Sequence, residues 1–303
     1  SALSHLQALL NESVGKDPVF ASTRIRRMNR FQYANAVQDL LNLKVSVFPL
    51  PEKMMRDRSG YFNKAIKGGM PDSLTVSSRP LGKSGLIEPR LSGVGPFPQD
   101  LRAEHGYDNQ ADHLSLSPLL MEAFFQLSRT IVTSSTFGPK TVGIWKDFFQ
   151  SPNEVEDVEK ALAARLKPFL TQAFRRTVKK ETLNRYRSYA LGSLKKGATF
   201  EATMKDVVSA VLASPRFLYL YDSLGEQEEA LSGEALLASR LSFFLWGSLP
   251  DEELLELART GRLSDPKVLD GQLDRMLSDP KLKRFCDSFP TQWLQLDRII
   301  SAV

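Results

Sequence analysis

The sequence predicts an all-α protein made of bundle-like helical domains, interrupted by one long irregular insertion rich in glycine and proline. From residue 114 onward, helix-start signals recur in front of segments whose apolar residues follow helical spacing. No segment shows the alternation of apolar and polar residues that is typical of a half-buried β-strand. Of the 303 residues, 42% are hydrophobic and 25% charged, which is typical of a globular chain and excludes the disordered class.

The first part of the chain predicts two helices. A short amphipathic helix is expected over residues 2–13, and Asp17-Pro18 ends it. Residues 21–43 predict a longer helix in which Asn29 can serve as the N-cap. Several arginines surround this start, namely Arg24, Arg26, Arg27 and Arg30. Cations are unfavourable at a helix N-terminus, so these residues are expected either to form an extended arm or to pair with acids elsewhere. We assign Arg26, Arg27 and Arg30, with Arg175 and Arg176 further along, to an interaction surface.

An irregular region follows over residues 44–113, within a first domain assigned to residues 1–136. Its many glycines and prolines leave no helical period. Segment 53–103 nevertheless keeps hydrophobic residues that solvated linkers usually lack. Those assigned to an interaction surface are Tyr61, Phe62, Leu86, Ile87 and Phe97. We therefore predict that this segment is an interaction arm ordered by contacts with a partner subunit.

Helix starts then recur regularly. Ser117-Pro118 combines an N-cap with proline at the first helical position, and Ser151 with Glu154 forms a capping box. Further helices are predicted over residues 180–194 and 200–212, then after Ser232, Pro250, Asp265 and Asp279, whereas Ser214-Pro215 predicts an aromatic-rich turn. Domains are assigned to residues 137–222 and 223–303. The helices are expected to form one packed body over residues 114–298, because amphipathic faces are buried only against each other.

Charge is distributed unevenly along the chain, whose net charge is +5. Residues 24–110 hold 14 Lys and Arg against 8 Asp and Glu, and residues 137–222 hold 15 against 9. Residues 223–303 hold 9 against 14 and are therefore acidic. The basic N-terminal part of the chain is compatible with nucleic-acid binding, but we find no nucleic-acid motif and no aromatic residues interleaved with the basic ones. A solvated face or a docking surface for an acidic partner is the preferred interpretation, with no nucleic acid among the partners.

Oxygen-bearing side chains cluster in the turn at residues 104–113. Asp108, Asn109 and Asp112 offer a weak, calcium-like set of ligands without the spacing of an EF-hand loop. The alternative is a turn stabilised by its own Asx side chains. His105 and His113 lie eight residues apart without a nearby cysteine, which is a weak metal signature. We expect hydrogen bonds, rather than a transition metal, to order this turn.

Other candidate groups are sparse. Arg175 and Arg176 follow an apolar helix, where they either grip a carboxylate or phosphate or stabilise the helix end. The only cysteine, Cys286, is expected to pack in a helix interior and forms no metal cluster. No hydrolase, nucleotide-binding or other catalytic motif is complete, so enzyme activity stays open. No apolar run approaches the roughly 18 residues that span a bilayer.

Several strings, taken in order, resemble known families. Residues 26–41 read RRMNRFQYANAVQDLL and, with GYDN at 106–109 and LSLSP at 114–118, resemble domain-of-unknown-function family 1587. AFRRT at 173–177 and VLASPRFLY at 211–219 resemble family 1595. Residues 231–251 and QWL at 292–294 resemble family 1592. The resemblance covers residues 24–298 and is to exported proteins abundant in planctomycetes.

The resemblance implies a periplasmic or extracellular setting. Such proteins usually add a cytochrome c-like domain in front and families 1588 and 1585 behind. This chain has no Cys-x-x-Cys-His motif, so we expect it to hold no cofactor itself. Haem c is expected in flanking parts of the protein or in a partner subunit. The expected function is a helical scaffold or interaction subunit whose partners are other subunits, including a cytochrome. The alternatives are the non-haem part of a redox enzyme acting on extracellular carbohydrate, or a carbohydrate-binding module.

Overall fold

A computed structural model of the chain describes residues 26–49, 89–98, 107–109, 114, 117–152, 158–220 and 233–295. These residues are mostly helical, which confirms the predicted all-α class. The helix predicted at residues 2–13 and most of the irregular region at residues 44–113 lie outside the described residues.

The arginine-rich start of the described chain is extended. Strand β1 (Arg26–Arg27) pairs antiparallel with β2 (Tyr219–Leu220), with Arg26 opposite Leu220. The extended arm is therefore the correct alternative for Arg26 and Arg27. The expectation that the chain has no strand needs correction, because this two-residue ladder is too short to leave an alternating pattern.

Helix α1 (Arg30–Leu40) is shorter than the helix predicted over residues 21–43, because residues 26–27 are extended and Asn29 caps it. The Asn29 side chain accepts a hydrogen bond from the Gln32 backbone N–H at 2.8 Å. The Gln32 side chain accepts one from the Asn29 N–H at 3.3 Å, which completes a capping box.

The remaining helices begin close to the predicted helix-start signals. They are α2 (Pro118–Thr133), α3 (Val158–Phe174), α4 (Lys180–Lys195), α5 (Phe200–Leu212), α6 (Pro215–Leu218), α7 (Gly233–Leu245), α8 (Glu252–Arg259), α9 (Pro266–Ser278) and α10 (Lys283–Trp293). A π-helical turn spans Trp145–Phe149, and a 3₁₀ turn at Pro280–Leu282 precedes α10. Ser117, Asp251 and Asp265 each cap the following helix through a side-chain oxygen, as their residue types predict.

The larger hydrophobic core lies among α1, α2, α3 and α5. Tyr33 is fully buried at its centre, and four rings surround it: Phe48, Phe97, Phe124 and Phe217. Phe243 of α7 and Leu249 also belong to this core. Among the described residues, α7 is therefore packed against the helices that precede it in the chain, in agreement with the predicted single body.

Residues 89–98 pack into the same core. Leu91, Val94 and Phe97 are buried, and the Leu91 N–H donates to the Ser46 carbonyl at 3.0 Å. This end of the predicted interaction arm therefore folds onto the chain's own helices. Burying these three apolar side chains offsets part of the entropy cost of ordering residues 89–98.

A second, smaller core joins α7, α8 and α9 around Trp246. The fully buried Trp246 ring donates from Nε1 to the Met276 carbonyl at 3.2 Å. The charged groups of Arg275 and Lys281 lie 5.5 and 4.8 Å from the ring centroid. This arrangement combines apolar burial with cation–π contacts.

Candidate interaction surface

The predicted oxygen-rich turn is held by hydrogen bonds where it is described. Asp108 Oδ1 accepts from Asn29 Nδ2 at 2.9 Å, and the Asp108 N–H donates to Gln292 Oε1 at 3.4 Å. The Asn109 carbonyl accepts from Arg26 at 3.4 Å. The turn therefore connects the start of α1 to α10. Asp112, His105 and His113 lie outside the described residues.

The arginines assigned to an interaction surface make contacts within the chain. Arg27 is buried, with its guanidinium 5.7 Å from the Phe97 ring centroid and 5.8 Å from that of Phe124. Arg30 Nε donates to the Phe97 carbonyl at 2.6 Å. Together with the Arg26 bond to Asn109, these contacts hold residues 89–98 and 107–109 against α1.

Phe97 is correspondingly a core residue, which corrects its assignment to a partner surface. Its ring centroid lies 4.6 Å from that of Phe124. The other four hydrophobic residues of the predicted arm, Tyr61, Phe62, Leu86 and Ile87, lie outside the described residues.

The two arginines after α3 have different surroundings. Arg175 is buried and donates to the carbonyls of Arg216, Phe217 and Tyr219 at 3.0, 3.1 and 2.7 Å. It therefore satisfies the backbone at the end of α6 and does not grip a ligand. Arg176 is half-buried and lines a cleft of about 1480 Å³ between α4 and α8.

An ion pair joins the two ends of the described chain. Arg284 Nη1 and Nη2 of α10 donate to the two Asp39 carboxylate oxygens of α1, each at 2.8 Å. Lys281 Nζ lies 3.3 Å from the same carboxylate. The Asp39 and Arg284 side chains are 12% and 18% exposed. Burial raises the pKa of Asp39, but the hydrogen bonds and charge of Arg284, with Lys281, outweigh burial and hold it below its ordinary value.

A row of aromatic side chains runs along α10 beside this ion pair. Phe285 stacks on Phe289 with ring centroids 5.0 Å apart, and Phe289 stacks on Trp293 at 5.9 Å. Phe244 of α7 lies 5.2 Å from Phe285. We call these four residues the aromatic stripe. Trp293 is 63% exposed and Phe244 is 58% exposed.

The aromatic stripe touches the oxygen-rich turn at one edge, where the Tyr107 ring lies 6.3 Å from that of Phe289. None of the four residues belongs to either buried core of the described chain. Contiguous exposed apolar groups of this kind mark interaction sites in soluble proteins. The stripe is the surface best suited to a partner protein within the described residues.

Sequence reasoning missed the aromatic stripe, although its signal was present. Phe285, Phe289 and Trp293 recur at intervals of four residues, which places them on one face of α10. Such spacing usually indicates a buried face. Cys286 shows the same difficulty, because it is exposed and not packed as predicted. The face that is buried depends on where α1 and the turn at 107–109 dock.

Three sequence families match successive parts of the chain. The family described as protein of unknown function DUF1587 matches residues 86–136, DUF1595 matches residues 161–222, and DUF1592 matches residues 233–303. These matches confirm the three families that the sequence resembles. No curated protein and no solved structure matches the chain. Among the described helices, none combines the length and apolar character needed to cross a bilayer.

Proposed function

We propose that this chain is a helical scaffold in an extracytoplasmic, c-type-cytochrome-associated assembly, and that it docks a partner subunit through the aromatic stripe. The exposed stripe on α10 is the observation that carries the proposal. The export and the cytochrome association in this proposal are what the resemblance of the chain to the three families implies. The chain supplies a docking surface, while the partner supplies the haem.

The chemistry of the stripe supports a protein partner. Interface centres are enriched in aromatic residues, and tryptophan is a frequent hot spot. Phe285, Phe289 and Trp293 stack on one another, which leaves ring edges and one outer indole face for a partner's apolar side chains. Stacking also fixes the rings before binding, so little side-chain entropy is lost on association.

The position of the stripe also supports docking. Arg284 and Gln292 attach α10 to α1 and to the turn at 107–109 from the side adjacent to the stripe. Interface residues on a rigid element present a fixed shape to the partner. The scaffold therefore holds α10 while leaving its aromatic face accessible.

Haem-bearing partners give a direct test. The full chain, tagged and expressed in its native host, is purified from the extracytoplasmic fraction, and the co-purified proteins are separated in denaturing gels. Covalent c-type haem survives denaturation and is visible by its peroxidase activity. We expect a haem-stained protein with the wild type and its loss with the double variant Phe244→Ser, Trp293→Ser.

The matched control is Phe125→Ser, because Phe125 is 56% exposed on α2 and is not part of the stripe. It should retain the haem-stained protein. Circular dichroism of all variants checks that the helices are intact. The proposal fails if no haem protein accompanies the wild type, or if the stripe variant retains it at wild-type yield.

A further inference from the structure

A dense positive charge lies on α4 and the turn before it. Residues 175–196 contain eight Lys and Arg and one acidic residue, Glu181, giving a local charge of +7 in 22 residues. Arg175 is buried and serves the backbone of α6. The other basic residues leave a strongly cationic face on this helix, which neither the core nor the aromatic stripe explains.

Five of these cations belong to α4 itself or to its C-cap, namely Lys180, Arg185, Arg187, Lys195 and Lys196. All are exposed except Arg187, which is half-buried. None of the five forms an ion pair with an acidic side chain among the residues that the structure describes. Glu181 and Glu256 line the same cleft as Arg185, but no ion pair within the described residues holds these five cations, so they are available to a bound polyanion.

The cations are interleaved with an exposed ring. Tyr189 is 52% exposed and lies one helical turn beyond Arg185. Lys196 follows two turns later on the same edge of the helix, at roughly 10 Å along the axis by helical rise. Arg185, Tyr189 and Lys196 thus form a row in which a flat apolar surface lies between two cations. The position of Tyr189 corrects the expectation that no aromatic residues lie among the basic residues.

This face does not have the chemistry of a protein interface. The centres of protein interfaces are depleted in lysine and rich in apolar side chains. Here a single ring stands among spread cations, whereas the aromatic stripe on α10 has the opposite composition. A hydrated, repeating polyanion fits better, since its binding depends on many weak charge contacts that salt screens.

We propose that the α4 face binds an anionic polysaccharide. Carboxylate or sulfate groups of the glycan contact Arg185, Lys196 and Lys195, and a sugar ring lies against Tyr189. The choice of glycan over nucleic acid rests on the extracytoplasmic setting of the proposed function. Arginine presents a planar fork of donors that matches carboxylate and sulfate geometry.

Titration of the purified full chain with defined polymers tests this assignment. The probes are a polygalacturonate oligomer, neutral dextran, poly-L-glutamate of equal charge and a single-stranded DNA oligomer. At 50 mM salt, we expect polygalacturonate to bind at least about tenfold more tightly than poly-L-glutamate or DNA, and dextran not to bind. Raising the salt to 300 mM should weaken binding by about tenfold or more, because the contacts are exposed charges.

Variants locate the site. Arg185→Gln, Lys196→Gln should weaken polygalacturonate binding by about tenfold, and Tyr189→Ala should weaken it while leaving poly-L-glutamate unchanged. The control Lys283→Gln, Lys267→Gln removes the same charge from α10 and α9 and should bind as the wild type does.

Three results would overturn the assignment: equal affinity for polygalacturonate and poly-L-glutamate, tightest binding to DNA, or equal losses in the α4 and control variants. This titration needs no partner subunit. Failure of the haem co-purification therefore leaves the titration result unchanged, and the failures of the two proposals are distinguishable.

Discussion

The ion pair between Asp39 and Arg284 should contribute strongly to stability, and Arg284→Met is the direct perturbation. Removing one partner of a fully buried pair costs about 3–5 kcal/mol, because the remaining charge is stranded. Here the side chains keep some exposure, and Lys281 stays 3.3 Å from the carboxylate. We therefore expect the free energy of unfolding to fall by about 2–3 kcal/mol. Urea denaturation followed by circular dichroism measures this loss.

Asp39→Asn and the double variant Asp39→Asn, Arg284→Met complete the cycle. Asp39→Asn leaves Arg284 and Lys281 beside each other without their shared carboxylate, so its cost should be similar. The double variant should lose about 1–2 kcal/mol less than the sum of the single losses, as contacting charges do. Additive losses, or a loss below about 0.5 kcal/mol for Arg284→Met, would refute the reasoning.

The pH dependence has a defined sign. The pKa of Asp39 is lowered in the folded chain, so its stabilisation is present above the unfolded pKa, which lies near 4. It is lost as the pH falls through the lower folded pKa. The stability difference between wild type and Asp39→Asn should therefore be constant from about pH 5 to 8 and shrink below about pH 4. A difference that grows on acidification would contradict the assigned charge states.

Three further substitutions test the interior. Tyr33→Phe should raise the free energy of unfolding by about 1 kcal/mol or more, because the fully buried Tyr33 hydroxyl has no hydrogen-bond partner within the described residues; a loss of stability in urea denaturation would contradict this. Arg175→Met should lower the free energy of unfolding by about 3 kcal/mol, because it leaves three backbone carbonyls without their donor. The control Lys180→Met, on the exposed face of α4, should change the free energy of unfolding by less than about 0.5 kcal/mol. Gly247→Ala should lower the stability by about 1–3 kcal/mol, since φ is +57° and an added Cβ would lie 2.9 Å from a Phe31 ring carbon. The control Gly192→Ala meets open space within α4 and should raise the stability by about 0.5 kcal/mol. Thermal unfolding of both variants checks the contrast.

Helix starts could be predicted because their chemistry is local. Asn29, Ser117, Asp251 and Asp265 all cap the helices expected of them, through oxygens that reach backbone N–H groups two or three residues away. A cap needs only a few neighbouring residues, so its signal survives in the sequence alone.

Contacts between distant segments could not be predicted in the same way. The pair formed by Asp39 and Arg284 joins residues 245 positions apart. Phe97 carries no local sign that it belongs in the core, because a hydrophobe in a Gly/Pro-rich loop suits a partner surface equally well. The charged group of Arg27 also gave no hint of burial, since its stabilisation comes from rings at residues 97 and 124.

The matched families do not correspond to separate cores. The larger core takes residues from Met28 to Leu249, and its most extensive helix contact joins α2, in the DUF1587 match, to α5, in the DUF1595 match. The pairing of β1 with β2 also joins residues 26–27 to residues 219–220. Excising any one matched region would therefore expose apolar surface that the others cover. Binding studies of either proposed surface consequently require the whole chain, because α4 and α10 hold their faces outward only when the helices behind them are in place.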